Sequence, residues 1–228
     1  YYFYSYFLIE DNNKPINFSV PTGNFGDVYA GYLAKKIGLP INKFVVATNQ
    51  NDILHRAITN GSYNVENVLE TISPSMDIQI ASNFERLIFD LNDHSDKKTI
   101  EAMKSIKEKG KYAIQKENLD KINVDFLSAR MDENEILSTI KNVYEKFDKV
   151  LDPHSAIGYG AFDKVKLKGN NIVLATAHPS KFPDAIEKAI NIKAELPDEL
   201  TFILDEKENY DIIDNNLNKI KKYIKERT

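Results

Sequence analysis

The sequence GNFGD, at residues 23–27, has the composition of an anion-binding turn. It separates a stretch of alternating apolar and polar residues from a stretch with helical periodicity. Glycine lets a ligand approach the backbone closely, and the N–H groups at the start of a helix attract negative charge. The residues of such a phosphate site would be Gly23, Asn24, Phe25, Gly26 and Asp27. A tight strand-to-helix turn capped by Asp27 fits the same pattern, so spacing alone leaves both interpretations open.

A second polar segment, TAHPSKF, follows an apolar run that is typical of a buried strand. In open α/β sheets, ligands bind beyond the carboxyl ends of the strands, where Thr176 would offer a hydroxyl group. The alternative is that Thr176 only helps to form the loop.

The segment SPSMDIQIASNFERL, at residues 73–87, offers several hydrogen-bonding side chains for an anion. These are Ser73, Ser75, Asn83 and Arg86, and we assign the last three to a substrate site. The alternative for Arg86 is an ion pair with Glu85 or Asp90 on a solvated helix face.

Composition excludes several other classes of site. The chain has 228 residues and no cysteine, and its histidines show no metal-ligand spacing, so we predict no metal site. The net charge of −4 argues against a nucleic-acid partner. No apolar run reaches the ~18 residues of a membrane span, and no secretory signal is present, which makes a cytoplasmic location the default. GNFGD lacks the lysine of a P-loop and the third glycine of a dinucleotide fingerprint.

The elements around these segments predict an α/β fold with a mostly parallel sheet. Residues 16–20 alternate as a strand does, and KFVVATN and NIVLATAHP are apolar runs that suit strands covered on both faces. Each is followed by a helical pattern, which favours helices on both faces of the sheet. In the first helix, Tyr29, Leu33 and Ile37 recur at steps of four, with Val28 and Tyr32 beside them, and predict one apolar face.

The rest of the chain is assigned from hydrophobic periodicity and from the turn residues between the periodic segments. Helices are predicted over residues 77–91, 97–109, 136–150 and 213–224, and from ILHRAI, DPHSAIG and FPDAIEKAI. Short strands are predicted within residues 110–130, and LTFIL is predicted as a last strand.

The opening YYFYSYF carries six aromatic residues in seven positions. So many exposed rings would be poorly soluble, so we interpret residues 1–10 as the end of a helix that continues from a preceding part, with residues 11–228 forming the α/β portion. The rings from Tyr1 to Phe7 are expected to pack against this domain, a second copy, or that preceding part.

Taken together, the motifs resemble threonine synthase, a pyridoxal-phosphate enzyme. GNFGD with AGYLAKKIGLP, then ATNQNDIL, SPSMDIQIASNFERL, DPHSAIG and ATAHPSKF occur in the family's order. The resemblance covers nearly the whole chain but only the C-terminal half of the family's pattern.

The resemblance implies an incomplete fold of the tryptophan-synthase-β type, a three-layer α/β/α fold of the fold-type II pyridoxal-phosphate enzymes. It implies that residues 23–27 hold the cofactor phosphate and that Thr176 faces the pyridine nitrogen. The family converts O-phosphohomoserine and water to threonine and phosphate, so that phosphate ester is the implied substrate.

No lysine here matches the Schiff-base lysine of the family, which belongs to the N-terminal half. No catalytic residue is therefore assigned within the chain, and we expect it to be inactive alone. The leading interpretation is the C-terminal portion of a threonine synthase. The alternatives are a non-catalytic module that binds a phosphorylated ligand, or one half of a split enzyme.

Overall fold

A computed structural model describes residues 1–11 and 13–227 of the chain. The chain divides into two compact units, one from Tyr1 to Ala194 and one that begins at Glu195. Within the described residues, no helix combines the length and the apolar character needed to cross a membrane.

The first unit is built on a four-stranded parallel sheet with the order β5-β2-β1-β6, beside a two-stranded antiparallel pair, β3 and β4. The strands are β1 (Ile16–Pro21), β2 (Ile41–Thr48), β3 (Ser62–Asn64), β4 (Lys111–Ala113), β5 (Phe126–Arg130) and β6 (Asn170–Val173).

Helices connect the strands of this sheet, as parallel pairing requires. They are α1 (Tyr2–Phe7), α2 (Gly26–Lys36), α3 (Ile53–Asn60), α4 (Phe84–Leu91), α5 (Asp96–Lys109), α6 (Lys116–Asp125), α7 (Glu133–Phe147), α8 (Pro153–Val165) and α9 (Pro183–Ile190). The second unit contains α10 (Leu217–Lys225).

The two faces of the sheet have separate cores. Side chains alternate along β2, so Phe44 and Val46 join one cluster with residues of α2 to α6, while Val45 and Ala47 join another with residues of α7, α8 and α9. Helix α8 packs across all four strands. The predicted three-layer α/β/α architecture is therefore confirmed.

The predicted apolar face of α2 is only partly correct. Val28 is buried and Tyr29 and Tyr32 pack against the first core, but Leu33 and Ile37 are exposed, and Gly31 and Ala34 are buried instead. The reason is that α2 lies close to the core through small side chains, and Gly31 leaves the space that the ring of Tyr2 fills.

Two other segments of this unit differ from the sequence prediction. Residues 77–83 form a loop and α4 begins only at Phe84, because Asp77 is held by neighbouring side chains. Within residues 110–130, helix α6 forms where a strand was predicted. Most of its surface is charged or polar, and Ile122 is its one buried residue. The other predicted helices and strands of this unit, including the helix from DPHSAIG, are present within a few residues of the predicted bounds.

In the second unit, LTFIL is not a strand but lies in the 3-10 segment Asp198–Asp205. Asp198 and Glu199 occupy its first turn, where acidic side chains favour helical hydrogen bonding. The final helix, α10, begins at Leu217, with the side chain of Asn216 as its cap.

The close packing of α1 on α2 gives a test of the first core. A Cβ at Gly31 would lie 2.4 Å from Tyr2 Cε1 and 2.7 Å from Phe44 Cε1. Gly31→Val should therefore lower the free energy of unfolding by about 1–3 kcal/mol more than Ala30→Val on the exposed side of the same helix. Urea denaturation measures both, and equal losses would contradict this packing.

Candidate functional site

The loop after β1 is held at its start by a backbone hydrogen bond and at its end by the buried ring of Phe25. The N–H of Thr22 donates to Ala47 O at 2.8 Å, which continues the sheet contact beyond β1. Phe25 then takes a left-handed conformation, with φ of 67°, and caps the start of α2. Its buried ring packs edge-on against Phe84 at 5.1 Å and also contacts Phe126. Burial of this ring offsets the cost of an unusual backbone conformation for a residue that is not glycine.

The amides of this loop are available to a ligand. No described residue accepts a hydrogen bond from the backbone N–H groups of Gly23, Asn24, Phe25 or Gly26. These donors lie at the start of α2, where the helix dipole adds partial positive charge. The arrangement is chemically suited to a phosphate group.

Asp27 does not cap α2, since the helix start has no side-chain cap. Its Oδ1 accepts a hydrogen bond from the Tyr2 hydroxyl at 3.1 Å instead. Burial raises the pKa of the Asp27 carboxyl, although the hydrogen bond from Tyr2 opposes that effect. Capping by Asp27, which the sequence left open, is therefore wrong.

Gly23 lies against the segment that carries Ser75. A Cβ at position 23 would be 2.7 Å from the carbonyl oxygen of Ser75, so only glycine permits this approach. Both residues line a cavity of about 160 Å³, together with His154, Thr176 and Lys181. The structure thus brings Gly23, Ser75 and Thr176 to one place.

A buried polar network holds the Ser75 segment. Oδ1 of Asp77 accepts hydrogen bonds from Asn49, Asn51 and Thr71 at 2.7–2.9 Å, and this closes the loop around the 3-10 turn Pro74–Met76. Ser73 is fully buried and accepts a hydrogen bond from Asn49. Ser73 is therefore occupied within the protein, whereas Ser75 is exposed.

A buried carboxylate, Asp152, lies at the start of α8. Its oxygens accept hydrogen bonds from the N–H and Nδ1 of His154 and from the N–H and hydroxyl of Ser155. His154 Nε2 in turn accepts from the N–H of Ser75 at 3.3 Å, and Ser155 Oγ accepts from the N–H of Thr176 at 3.2 Å. Burial raises the pKa of the Asp152 carboxyl, but the hydrogen bonds from His154 and Ser155 outweigh burial and hold the pKa below its usual value.

Asn24, Asn83 and Arg86 form a hydrogen-bonded chain on the other side of the loop. The backbone and side-chain N–H groups of Asn83 donate to Asn24 O at 3.0 and 3.2 Å, and Arg86 Nε donates to Asn83 Oδ1 at 3.1 Å. Within the described residues, no ion pair joins Arg86 to Glu85 or Asp90, and Asp90 pairs with Lys36 and His94 instead. Arg86 also lines a different cavity, of about 680 Å³, with Lys104 and Lys107.

Thr176 lies at the border of two cavities. Besides the small cavity next to Gly23, it lines one of about 410 Å³ that is also bordered by Asp27, Tyr1 and Ser5. Its side chain is exposed, while its N–H is bound by Ser155. The hydroxyl therefore lies at the carboxyl edge of the sheet, where the sequence placed it.

Several residues of this region were not assigned from the sequence. Lys181 is a cation in the lining of the small cavity, and it belongs to the motif TAHPSKF that was already singled out. His154 was weighed only as a metal ligand, and Ser155 was not considered. Within the described residues, no group of three or more His, Asp or Glu side chains is arranged to hold a metal ion.

Comparison with known proteins identifies the family. A family model described as "Threonine synthase, C-terminal" matches residues 155–224. The threonine synthase of Pseudomonas aeruginosa is 38% identical over 98% of this chain, and that of Saccharomyces cerevisiae is 42% identical over 84%. The chain belongs to the threonine synthase family. It spans about half the length of these curated relatives, 48% and 41% respectively.

Solved threonine synthases share the architecture of this chain. The pyridoxal-phosphate-bound threonine synthase of Brucella melitensis aligns over 99% of this chain and 49% of its own, with a TM-score of 0.91 and 40% identity. The yeast threonine synthase aligns with a TM-score of 0.86 and 36% identity, over 99% of this chain and half of its own. The fold is therefore that of the fold-type II pyridoxal-phosphate enzymes.

The lowered pKa of Asp152 makes stability depend on pH. Because its pKa in the folded chain is below the reference value of 3.8, its stabilisation is present above that value and is lost as pH falls through the folded pKa. The unfolding free energy of the wild type should therefore fall more steeply below about pH 4 than that of Asp152→Asn. Asp163→Asn, on the exposed side of α8, serves as the control, and urea denaturation across pH is the measurement. Parallel acid profiles for wild type and Asp152→Asn would contradict this role.

Proposed function

We propose that this chain is the C-terminal portion of a threonine synthase that converts O-phosphohomoserine and water to threonine and phosphate. The observation that carries the proposal is the run of amides at Gly23, Asn24, Phe25 and Gly26 without acceptors in the described residues, at the start of α2. In this proposal they bind the phosphate of pyridoxal phosphate.

The residues present fit that cofactor. Oriented backbone donors and a helix start suit its phosphate, and Lys181 in the adjoining cavity adds positive charge. Thr176 offers a neutral hydroxyl to the pyridine nitrogen, so no carboxylate would favour protonation of that nitrogen. When bound, the cofactor supplies an electron sink that stabilises carbanions of the substrate.

The chain's own residues would bind and orient the substrate. Ser75 is exposed at the small cavity, and its backbone is held from two sides by the Asp77 network and by His154. Arg86 and Asn83 would serve an anionic group beyond Asn24, and the fixed fork of the guanidinium suits a phosphate ester.

Covalent binding of the cofactor and the proton transfers on the substrate require a lysine that we assign to the part of the family's pattern that this chain does not span. The chain contributes binding and orientation, and catalysis requires the other half. We therefore propose that this portion alone is inactive.

The exposed aromatic side chains of Tyr1 and of α1 are proposed to contact that other half or a second copy of the chain. Tyr2 is buried in the first core, but Tyr1, Tyr4 and Phe7 are 89%, 71% and 75% exposed. Removing one large aromatic side chain from water stabilises an interface by about 1.5–3 kcal/mol, and this free energy favours a partner at this surface.

The loop assignment is tested by titrating the chain with pyridoxal phosphate and with inorganic phosphate while amide shifts are followed by NMR. Both ligands should shift the amides of residues 23–26. Asn24→Ala should weaken binding by about 2–10-fold if Asn24 contributes one neutral hydrogen bond, or by up to about 150-fold if that bond is to the charged phosphate. Gly26→Val should weaken it more because its Cβ would lie 3.1 Å from Asn83 Nδ2.

Asn64→Ala is the matched control for the asparagine variant, since Asn64 is an exposed residue of the separate two-stranded sheet. It should leave both affinities unchanged. Shifts confined to some other site, with residues 23–26 unmoved, would show that the loop is only a turn.

The dependence of turnover on the other half is tested by measuring phosphate release from O-phosphohomoserine. The chain alone should release no phosphate above background, and activity should appear when an N-terminal half of a threonine synthase is supplied, because the covalent step needs its lysine. Turnover by the chain alone would refute the assignment of catalysis to the other half. Phosphate binding without turnover in either case would favour the binding-module alternative.

A further inference from the structure

We propose that Asp152, His154 and Ser155 are positioning residues that set the two walls of the cofactor site. In this arrangement one buried carboxylate holds Ser75 through His154 and holds Thr176 through Ser155. This inference rests on the proposed function, since it assigns a role to residues around that same site.

The carboxylate of Asp152 determines which nitrogen of His154 carries the proton. Asp152 Oδ1 lies 3.0 Å from Nδ1 of His154, and an ionised carboxylate only accepts, so Nδ1 donates. In the neutral ring, Nε2 is then an acceptor, and it faces the N–H of Ser75 at 3.3 Å. The ring is 97% shielded from solvent and packs against Phe182, with ring centroids 4.8 Å apart, so its orientation is constrained on several sides.

Ser155 makes the second connection in the same way. Its hydroxyl donates to Asp152 Oδ2, which leaves its oxygen lone pairs to accept from the N–H of Thr176 at 3.2 Å. Ser75 and Thr176 lie on chain segments that are far apart in sequence, one after β3 and one after β6. The carboxylate therefore links two segments that the sheet alone does not connect.

A simple helix cap accounts for only part of this network. Capping of α8 needs the side chain of Asp152 and the N–H groups of His154 and Ser155, and these contacts are present. In addition, Nε2 of His154 and Oγ of Ser155 accept hydrogen bonds from backbone N–H groups outside the helix, and these groups border the small cavity. Since Asp152 and Ser155 are almost fully buried, they act through Ser75 and Thr176 rather than on a ligand directly.

The test compares amide shifts of Ser75 and Thr176 in the full chain, without ligand, for four variants. His154→Phe keeps a ring of similar size but removes the acceptor, so it should shift the Ser75 amide and leave Thr176 unchanged. Ser155→Ala should shift Thr176 and leave Ser75 unchanged. Asp152→Asn should shift both. Ser155→Thr keeps the hydroxyl and should restore the wild-type shift of Thr176.

A purely structural cap predicts a different pattern, in which all variants disturb the start of α8 and none selects between Ser75 and Thr176. That pattern would overturn the proposal. A measurement on the wild type covers the case of a variant that does not fold: the side-chain ¹⁵N shifts of His154 should show a protonated Nδ1 and an unprotonated Nε2. The opposite tautomer would also overturn the proposal.

The ligand titration separates this inference from the function on which it rests. If positioning matters for binding, His154→Phe and Ser155→Ala should each weaken pyridoxal phosphate binding by about 2–10-fold, as expected for one hydrogen bond. Selective amide shifts without any binding by the wild type would uphold the network and refute the cofactor site. Binding by the wild type without selective shifts would refute the network and leave the cofactor site standing.

Discussion

The parallel pairing of β1 with β2 on one side and with β6 on the other is the constraint on which the site depends. The register pairs Pro21 with Ala47 and Ser19 with Val173, so all three strands end at the same edge of the sheet. The loop that begins at Thr22, the polar residues after β2 and the segment with Thr176 must therefore converge. Burial of both sheet faces holds this edge rigid, because each face packs against its own layer of helices.

Around that edge, a half-buried carboxylate and a buried one link chain segments that the strands do not connect. Asp77 ties the Ser75 segment to asparagines after β2, and Asp152 ties it to the start of α8 and to Thr176. Withdrawing a carboxylate from solvent is costly when it has no partner, but each of these accepts at least three hydrogen bonds. Ser75 and Thr176 are thus presented by a rigid frame, which is what a site that orients a ligand requires.

Much of the fold followed from sequence because its strands are short apolar runs between clear turn signals, as in KFVVATN. The buried face of α2 followed only in part, since Gly31 and Ala34 contribute to packing through their small size, which a search for large apolar residues overlooks. Helix α6 was missed because its charged residues dilute the periodicity. The prediction of a strand at LTFIL is wrong because an apolar run does not reveal whether a partner strand exists. The motifs and the family resemblance singled out Gly23 and Thr176 for a cofactor and Ser75 for a substrate, and the structure places all three around one cavity. The links through His154 and Ser155 depend on tertiary contacts that spacing does not encode.

The most direct test of the account is a crystal structure of the chain with pyridoxal phosphate. The account predicts that the phosphate group lies within about 3 Å of the amide nitrogens of residues 23–26, with the pyridine ring directed toward Thr176. A phosphate bound instead in the cavity beside Lys104 and Lys107, with residues 23–26 making no contact to the ligand, would contradict it.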